Sequence, residues 1–151
     1  MNEQFGHDIE DLQVGMSASF AKTITEADIV LFAGVSGDNN AVHTNEEFAA
    51  TTPFGGRIAH GFLTLSLFPM LMAKSDCPRP AGVKMGVNYG GNKVRFLAPV
   101  RSGKRVRGHF KLLELDEKRP GQWQQTLEFT VEIEGEEKPA LMAEWISQFF
   151  V

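Results

Sequence analysis

Cysteine is nearly absent from this 151-residue chain. Cys77 stands alone, so no disulfide can form within one copy, and a reducing cytoplasm is the expected compartment. It sits beside Pro78 with no activating neighbour in sequence, so it reads as a plain loop thiol. Long apolar runs are also missing. The most apolar stretch, Phe62–Ala73, is too short to span a bilayer. The opening MNEQFGHDIEDL has neither the basic nor the apolar region of a secretory leader, so a soluble protein inside the cell is expected. Positive charge is not in excess: 15 Lys and Arg face 19 Asp and Glu, which argues against general nucleic-acid binding. The four histidines are scattered and make no metal-ligand spacing with the lone cysteine, so neither a metal nor another cofactor is expected. Repeats, low-complexity tracts and linkers are missing too, and residues 1–151 read as one domain.

What is present falls into two halves. Residues 1–15 read as an N-terminal arm and Met16–Ile24 as a first strand. Thr25 followed by Asp28 has the form of a helix start, and the helix is expected to run to about Val35 with Ile29, Phe32 and Ala33 on one face. Gly34, Gly37 and Asn39-Asn40 end it. Asn45-Glu46-Glu47 opens a short helix to Ala50, and Thr51–Arg57 is a loop. Residues 61–72 are apolar on nearly every face, which predicts a helix buried on all sides and kinked or divided at Pro69.

The second half reads as strands: Val83–Tyr89, Lys93–Leu97, Arg105–Leu112, Trp123–Glu134 and Ala140–Phe149, with a turn over Asp116–Gly121. Val106, Phe110 and Leu112 alternate with Arg105, Arg107, His109 and Lys111, as do apolar and polar residues from Trp123 onward. That is the period of an antiparallel sheet with one wet face. The last strand is apolar at both parities, which predicts a central position. A sheet must cover its apolar face, and residues 61–72 are the one segment apolar enough. The predicted fold is α+β: a curved antiparallel sheet wrapped around one buried helix.

Two titratable groups stand five residues apart in Ser36-Gly-Asp38-Asn-Asn40-Ala-Val-His43. Glycine and asparagines favour a turn between them, which could aim both side chains into one cleft. A carboxylate and an imidazole suit proton transfer near neutral pH. The spacing alone is weak evidence, since an Asp capping a turn beside a satisfied histidine is the commoner meaning of D-x-x-x-x-H. At Ala59-His60-Gly61-Phe62, a glycine opens the apolar helix. The first helical N–H groups have no internal partner, and a residue without a side chain lets a carbonyl oxygen approach. A tight entry into a crowded core demands a glycine just as well.

These segments together resemble a known family. Phe32-Ala-Gly-Val-Ser-Gly-Asp38-Asn-Asn40-Ala-Val-His43 is similar to the hydratase motif of MaoC-like, (R)-specific enoyl-CoA hydratases, and so is Ile58-Ala-His60-Gly61-Phe-Leu-Thr-Leu-Ser. Asn88-Tyr-Gly-Gly-Asn-Lys93-Val-Arg95-Phe-Leu-Ala-Pro-Val resembles the branch that includes nodulation protein N. The resemblance implies the hot dog fold. It implies addition of water to a trans-2-enoyl thioester of CoA or acyl-carrier protein, giving the (R)-3-hydroxyacyl product. It makes Asp38 and His43 the catalytic pair, Gly61 N–H the group facing the thioester oxygen, and Asn40 and His60 substrate-side residues. Ala41 stands where the motif usually has proline, which loosens the turn without removing a chemical group.

Lys93, Arg95, Arg101, Lys104, Arg105, Arg107 and Lys111 form a stretch without an acid. Lys93 and Arg95 are candidates for the CoA phosphates; a solvated strand face explains the alternation from Arg105 on. Two other functions stay open at this level: an acyl-CoA thioesterase, and a non-catalytic acyl-thioester-binding protein. The first commonly places a carboxylate on the buried helix, and 61–73 has none. A homodimer is expected, because the last strand is apolar on both faces and one helix covers only one.

Overall fold

In the computed structural model, residues 6–7, 12–77 and 79–151 are described. The arm expected over residues 1–15 lies mostly outside them. The elements, in order, are β1 (Gly6–His7), β2 (Ser17–Thr23), α1 (Glu26–Ser36), α2 (Ala41–Thr44), α3 (Glu46–Ala50), α4 (Gly61–Ser66), α5 (Phe68–Lys74), β3 (Arg79–Pro80), β4 (Met85–Phe96), β5 (Arg105–Arg119), β6 (Gln122–Ile133) and β7 (Leu141–Phe150). Strands β2-β5-β6-β7-β4 form an antiparallel sheet in that order, and β1 pairs with β3 in parallel. No helix of the described residues is long and apolar enough to cross a membrane.

The sequence signals explain most boundaries. Thr25 Oγ1 accepts from Asp28 N–H at 3.1 Å and Asp28 Oδ2 accepts from Thr25 N–H at 2.9 Å, a full capping box. Gly37, at φ 76°, closes α1 in the left-handed region. Pro69 sits in the first turn of α5, where its missing N–H costs nothing, and the expected division falls at Leu67. On β5, Val106, Phe110 and Leu112 are buried while Arg105, Arg107, His109 and Lys111 are exposed. Arg107 lies opposite Glu132 and Lys111 opposite Glu128 across the β5–β6 ladder, so the basic face of β5 is matched by acids.

Phe68 of α5 meets the sheet through Phe110 and Phe129 at 5.5 and 5.2 Å, both edge-on, and those two rings stack at 5.1 Å. Leu71 sits directly over Gly108. A Cβ there would lie 2.9 Å from its methyl group, so this glycine lets α5 seat on the sheet.

Four expectations need correction. The helical segment is not buried on all sides: Phe62, Ser66, Pro69 and Ala73 form an exposed stripe, because one sheet covers one face of a helix. Strands expected over 83–89 and 93–97 are one strand, β4, bent by register shifts after Asn88 and Asn92. The turn predicted from Asp116 is confined to Pro120-Gly121, because β5 and β6 continue to pair as a polar hairpin beyond the core. The last strand is interior, between β6 and β4, while β6 is the central one.

Candidate active site

The chain between α1 and α4 is arranged by short polar side chains. Ser36 Oγ donates to Phe32 O at 2.7 Å and accepts from Asp38 N–H at 3.2 Å. Asp38 Oδ1 accepts from Asn40 N–H, and Asn40 Oδ1 accepts from Val42 N–H, each at 3.2 Å. These are the side-chain-to-backbone turns that Asp and Asn favour. Asn40 is thus the N-cap of α2, with its acceptor turned to the backbone. Ala41 is the first residue of that helix, the position proline fits best. At the other end Arg57 bonds Glu26 at 2.5 Å and Glu46 at 3.1 Å, tying the starts of α1 and α3 together. Both acids hold its guanidinium in the charged form.

This frame brings Asp38 and His43 face to face. His43 is 9% exposed, and its Nδ1 donates to Ile58 O at 2.7 Å. The partner is a carbonyl, so the proton of the neutral ring is on Nδ1 and Nε2 carries a lone pair. Nε2 lies 4.0 Å from Asp38 Oδ2, too far for a direct hydrogen bond and suited to a small molecule that touches both. The Asp38 side chain is half exposed at 51%. It opens on a cleft of about 500 Å³, whose wall is formed by Phe32, Ser36, Phe62, Leu65, Ser66, Phe68, Pro69, Asn88 and Trp145. A second cavity of about 270 Å³ shares Phe68, Pro69 and Asn88 with it and extends past Met72 to Val83, Val87 and Phe149.

Asn88 and Trp145 were not singled out as site residues by the sequence reading. Trp145 Nε1 donates to Asn88 Oδ1 at 2.9 Å, and the indole lies against Gly91, where a Cβ would be 2.7 Å from the ring. The pair Gly90-Gly91, just where β4 is irregular, was the available signal.

Gly61 begins α4, and its N–H has no hydrogen-bond acceptor among the described residues. The space where its side chain would stand is filled: a Cβ would lie 2.8 Å from the Phe96 ring. That contact is by itself enough to require a glycine here. Gly61 lines a third cavity, of about 300 Å³, with Phe96 and Thr64, and is not in the wall of the Asp38 cleft. His60 is 1% exposed and lies against the Asp38 carbonyl and the His43 ring. Lys93, at φ 52°, pairs with Glu144 at 2.6 Å, which raises its pKa; neither it nor Arg95 lines the Asp38 cleft. Burial pushes the Cys77 thiol up, against a weaker pull from Arg79, so the thiolate is disfavoured.

Asp38, His43 and His60 each offer a possible ligand atom within 4.8 Å of the others. A metal lies in the plane of each imidazole that binds it. The two rings here are stacked at 3.8 Å and 26°, so their planes share no such point nearby. One nitrogen of each ring bonds a carbonyl, as is common in histidine ligands too, so it is the stacking that counts against a shared metal. The cluster is better built for protons than for a metal.

A sequence profile described as MaoC like domain matches residues 11–136. The chain is 46% identical over 127 residues to 3-hydroxyacyl-thioester dehydratase Z of Mycobacterium tuberculosis, covering 84% of this chain and 83% of that protein. It is 43% identical over 150 residues to nodulation protein N of Rhizobium meliloti, covering 97% and 92%. Among solved structures it resembles the (R)-hydratase from A. caviae involved in PHA biosynthesis, with a TM-score of 0.76, 30% identity and coverage of 91% and 97%.

Proposed function

From its membership of the MaoC-like dehydratase family, with the hot dog fold, we propose that this chain, as one domain over residues 1–151, hydrates a trans-2-enoyl thioester to the (R)-3-hydroxyacyl thioester and catalyses the reverse dehydration. One observation carries the reading: the bare Nε2 of His43 faces Asp38 Oδ2 across 4.0 Å at the edge of an apolar cleft. A water molecule between them can bond both. As its oxygen attacks C3, the pair takes one proton. The pair returns a proton to C2, so H₂O adds across the double bond and the site ends as it began. Asp38 and His43 work as one unit in this scheme. Charge that develops on the thioester oxygen is met by Gly61 N–H, the unpaired first donor of α4.

The apolar walls suit the acyl chain, carried on CoA or an acyl-carrier protein. Lys93 and Arg95, exposed on β4 outside the cleft wall, are the candidates for the phosphates of a carrier, and Lys93 would have to leave Glu144 to meet them. The thioesterase reading is weaker, since the helical residues 61–74 hold no carboxylate. A second copy of this chain is the natural cover for the exposed stripe of α4 and α5 and for the apolar edge strand β4, where Met85, Val87, Tyr89 and Phe96 are exposed. A lone buried thiol fits a cytoplasmic home.

The test is purified protein with crotonyl-CoA and with enoyl-CoAs of longer chain. Absorbance of the conjugated thioester is expected to fall and the product to be of (R) hand. No loss of absorbance with any chain length, or an (S) product, overturns the reading.

A further inference from the structure

His60 is among the most deeply buried side chains of the protein, at 1% exposure, yet it is polar. Its Nε2 donates to the main-chain carbonyl of Asp38 at 2.9 Å. Its ring stacks on that of His43 at 3.8 Å, with planes 26° apart, and Phe32 packs on it at 5.0 Å. It therefore grips both members of the acid–base pair: one through the backbone, one through the ring face. Its remaining nitrogen, Nδ1, is buried with no partner among the described residues. Buried polar atoms are nearly always satisfied, so an unpaired one calls for a compensating role. A phenyl ring would avoid the bare nitrogen but leave the Asp38 carbonyl without its donor.

We infer that His60 is a positioning residue, which fixes the Asp38 loop and the plane of His43 against each other and never touches substrate. This rests on the hydratase reading above. Asp38 hangs from a loop, and half of its side chain is in solvent. Its carboxylate only approaches His43 Nε2, at 4.0 Å, and no hydrogen bond among the described residues joins the two side chains. The two reacting groups must share one water, and misplacement by about 1 Å can cost ~10²-fold in rate. Holding a carbonyl next to one group and a ring face next to the other is a direct way to set that distance.

The fixed geometry also sets a proton. Because its partner is a carbonyl, His60 carries its hydrogen on Nε2, whereas His43 carries its own on Nδ1. Long-range ¹⁵N–¹H spectra of the unmodified protein read both tautomers without any substitution. The Nδ1–H form for His60 overturns the inference, whether or not the protein hydrates anything.

The kinetic test uses wild type, His60→Phe and His60→Gln with crotonyl-CoA, and butyryl-CoA as a saturated probe of binding. His60→Phe keeps a flat ring and loses the donor. It is expected to lower kcat ~10–100-fold per folded molecule, with KM and butyryl-CoA affinity within about twofold of wild type. Glutamine restores a donor at the place of Nε2, so His60→Gln is expected to recover part of that loss. If the folded His60→Phe protein turns over like wild type, or if KM and not kcat moves, the inference is wrong. If neither variant folds, the tautomers decide. A wild type inactive on every enoyl thioester defeats the hydratase reading instead and leaves the tautomer result to stand alone.

Discussion

Between Ser36 and His60 the chain is held by hydrogen bonds from short side chains and imidazoles to the backbone, each aimed at one atom. Between Arg105 and Phe149 it is held by area: Phe110, Leu127, Phe129, Val131, Ile133 and Leu141 are buried behind a long antiparallel ladder. Directional bonds cost little to lose singly in stability but move a reacting atom when lost. Apolar contacts tolerate small movements but hold most of the folding free energy. The chemistry proposed for Asp38 and His43 would thus sit in the region that is precise and weakly held, mounted on the region that is strong and unspecific.

Substitutions in the two regions should break apart along this line. Asp38→Asn and His43→Gln are expected to cut hydration of crotonyl-CoA by ~10²–10⁴-fold and to leave the melting temperature within a few degrees of wild type. Near-normal turnover in both would remove the pair from the site. Phe129→Ala, in the sheet and fully buried, is expected to cost ~3–5 kcal/mol in urea denaturation with unchanged turnover per folded molecule. An equal loss in kcat would mean that the regions are not separable.

Gly61→Ala lies on the border. With Phe96 against the glycine, the methyl group is expected to cost ~1–3 kcal/mol of stability, and the double variant with Phe96→Ala is expected to regain most of it. If turnover in that folded double variant still falls well below that of Phe96→Ala alone, a carbonyl docks at Gly61. If it does not, the N–H donor is elsewhere. The smallest effect belongs to the start of α1. Burial raises the Asp28 pKa, but Lys22 and Thr25 outweigh it and leave it lowered. A lowered carboxylate stabilises the fold above its unfolded pKa and loses that contribution as pH falls through the folded one. Asp28→Asn is therefore expected to cost about 0.2–1 kcal/mol at pH 7, a gap that closes below about pH 4. A gap independent of pH would point to the cap alone.

The two regions were also unequally legible. Thr25-x-x-Asp28, Gly37, Pro69 and the alternation of β5 are local signals, and the structure follows them. The chain order strand, helices, strands led to the right layout because a sheet has to be covered. Three things depend on contacts between distant residues, and no local pattern records them. One is Phe96 over Gly61, which the reading of the glycine had left between two causes. Another is Asn88 with Trp145, 57 residues apart. The third is His60, whose place beneath Asp38 follows from a turn that lays residues 58–60 along α2. The polar hairpin of β5 and β6 was missed for a different reason: beyond the core, pairing continues without any apolar period to show it.

Phe68, on α5 between the two regions, serves both the core and the cleft. Its ring is held by Phe110 and Phe129 on one side and forms wall in both cavities on the other. The cleft has no lining of its own at that point. If the cleft takes the acyl chain as proposed, enlarging it there means cutting into the core, so substrate range and melting point could not be tuned independently through this residue. A variant selected for longer substrates has a free choice only where the wall is not core, at positions such as Ser66, Pro69 and Val87.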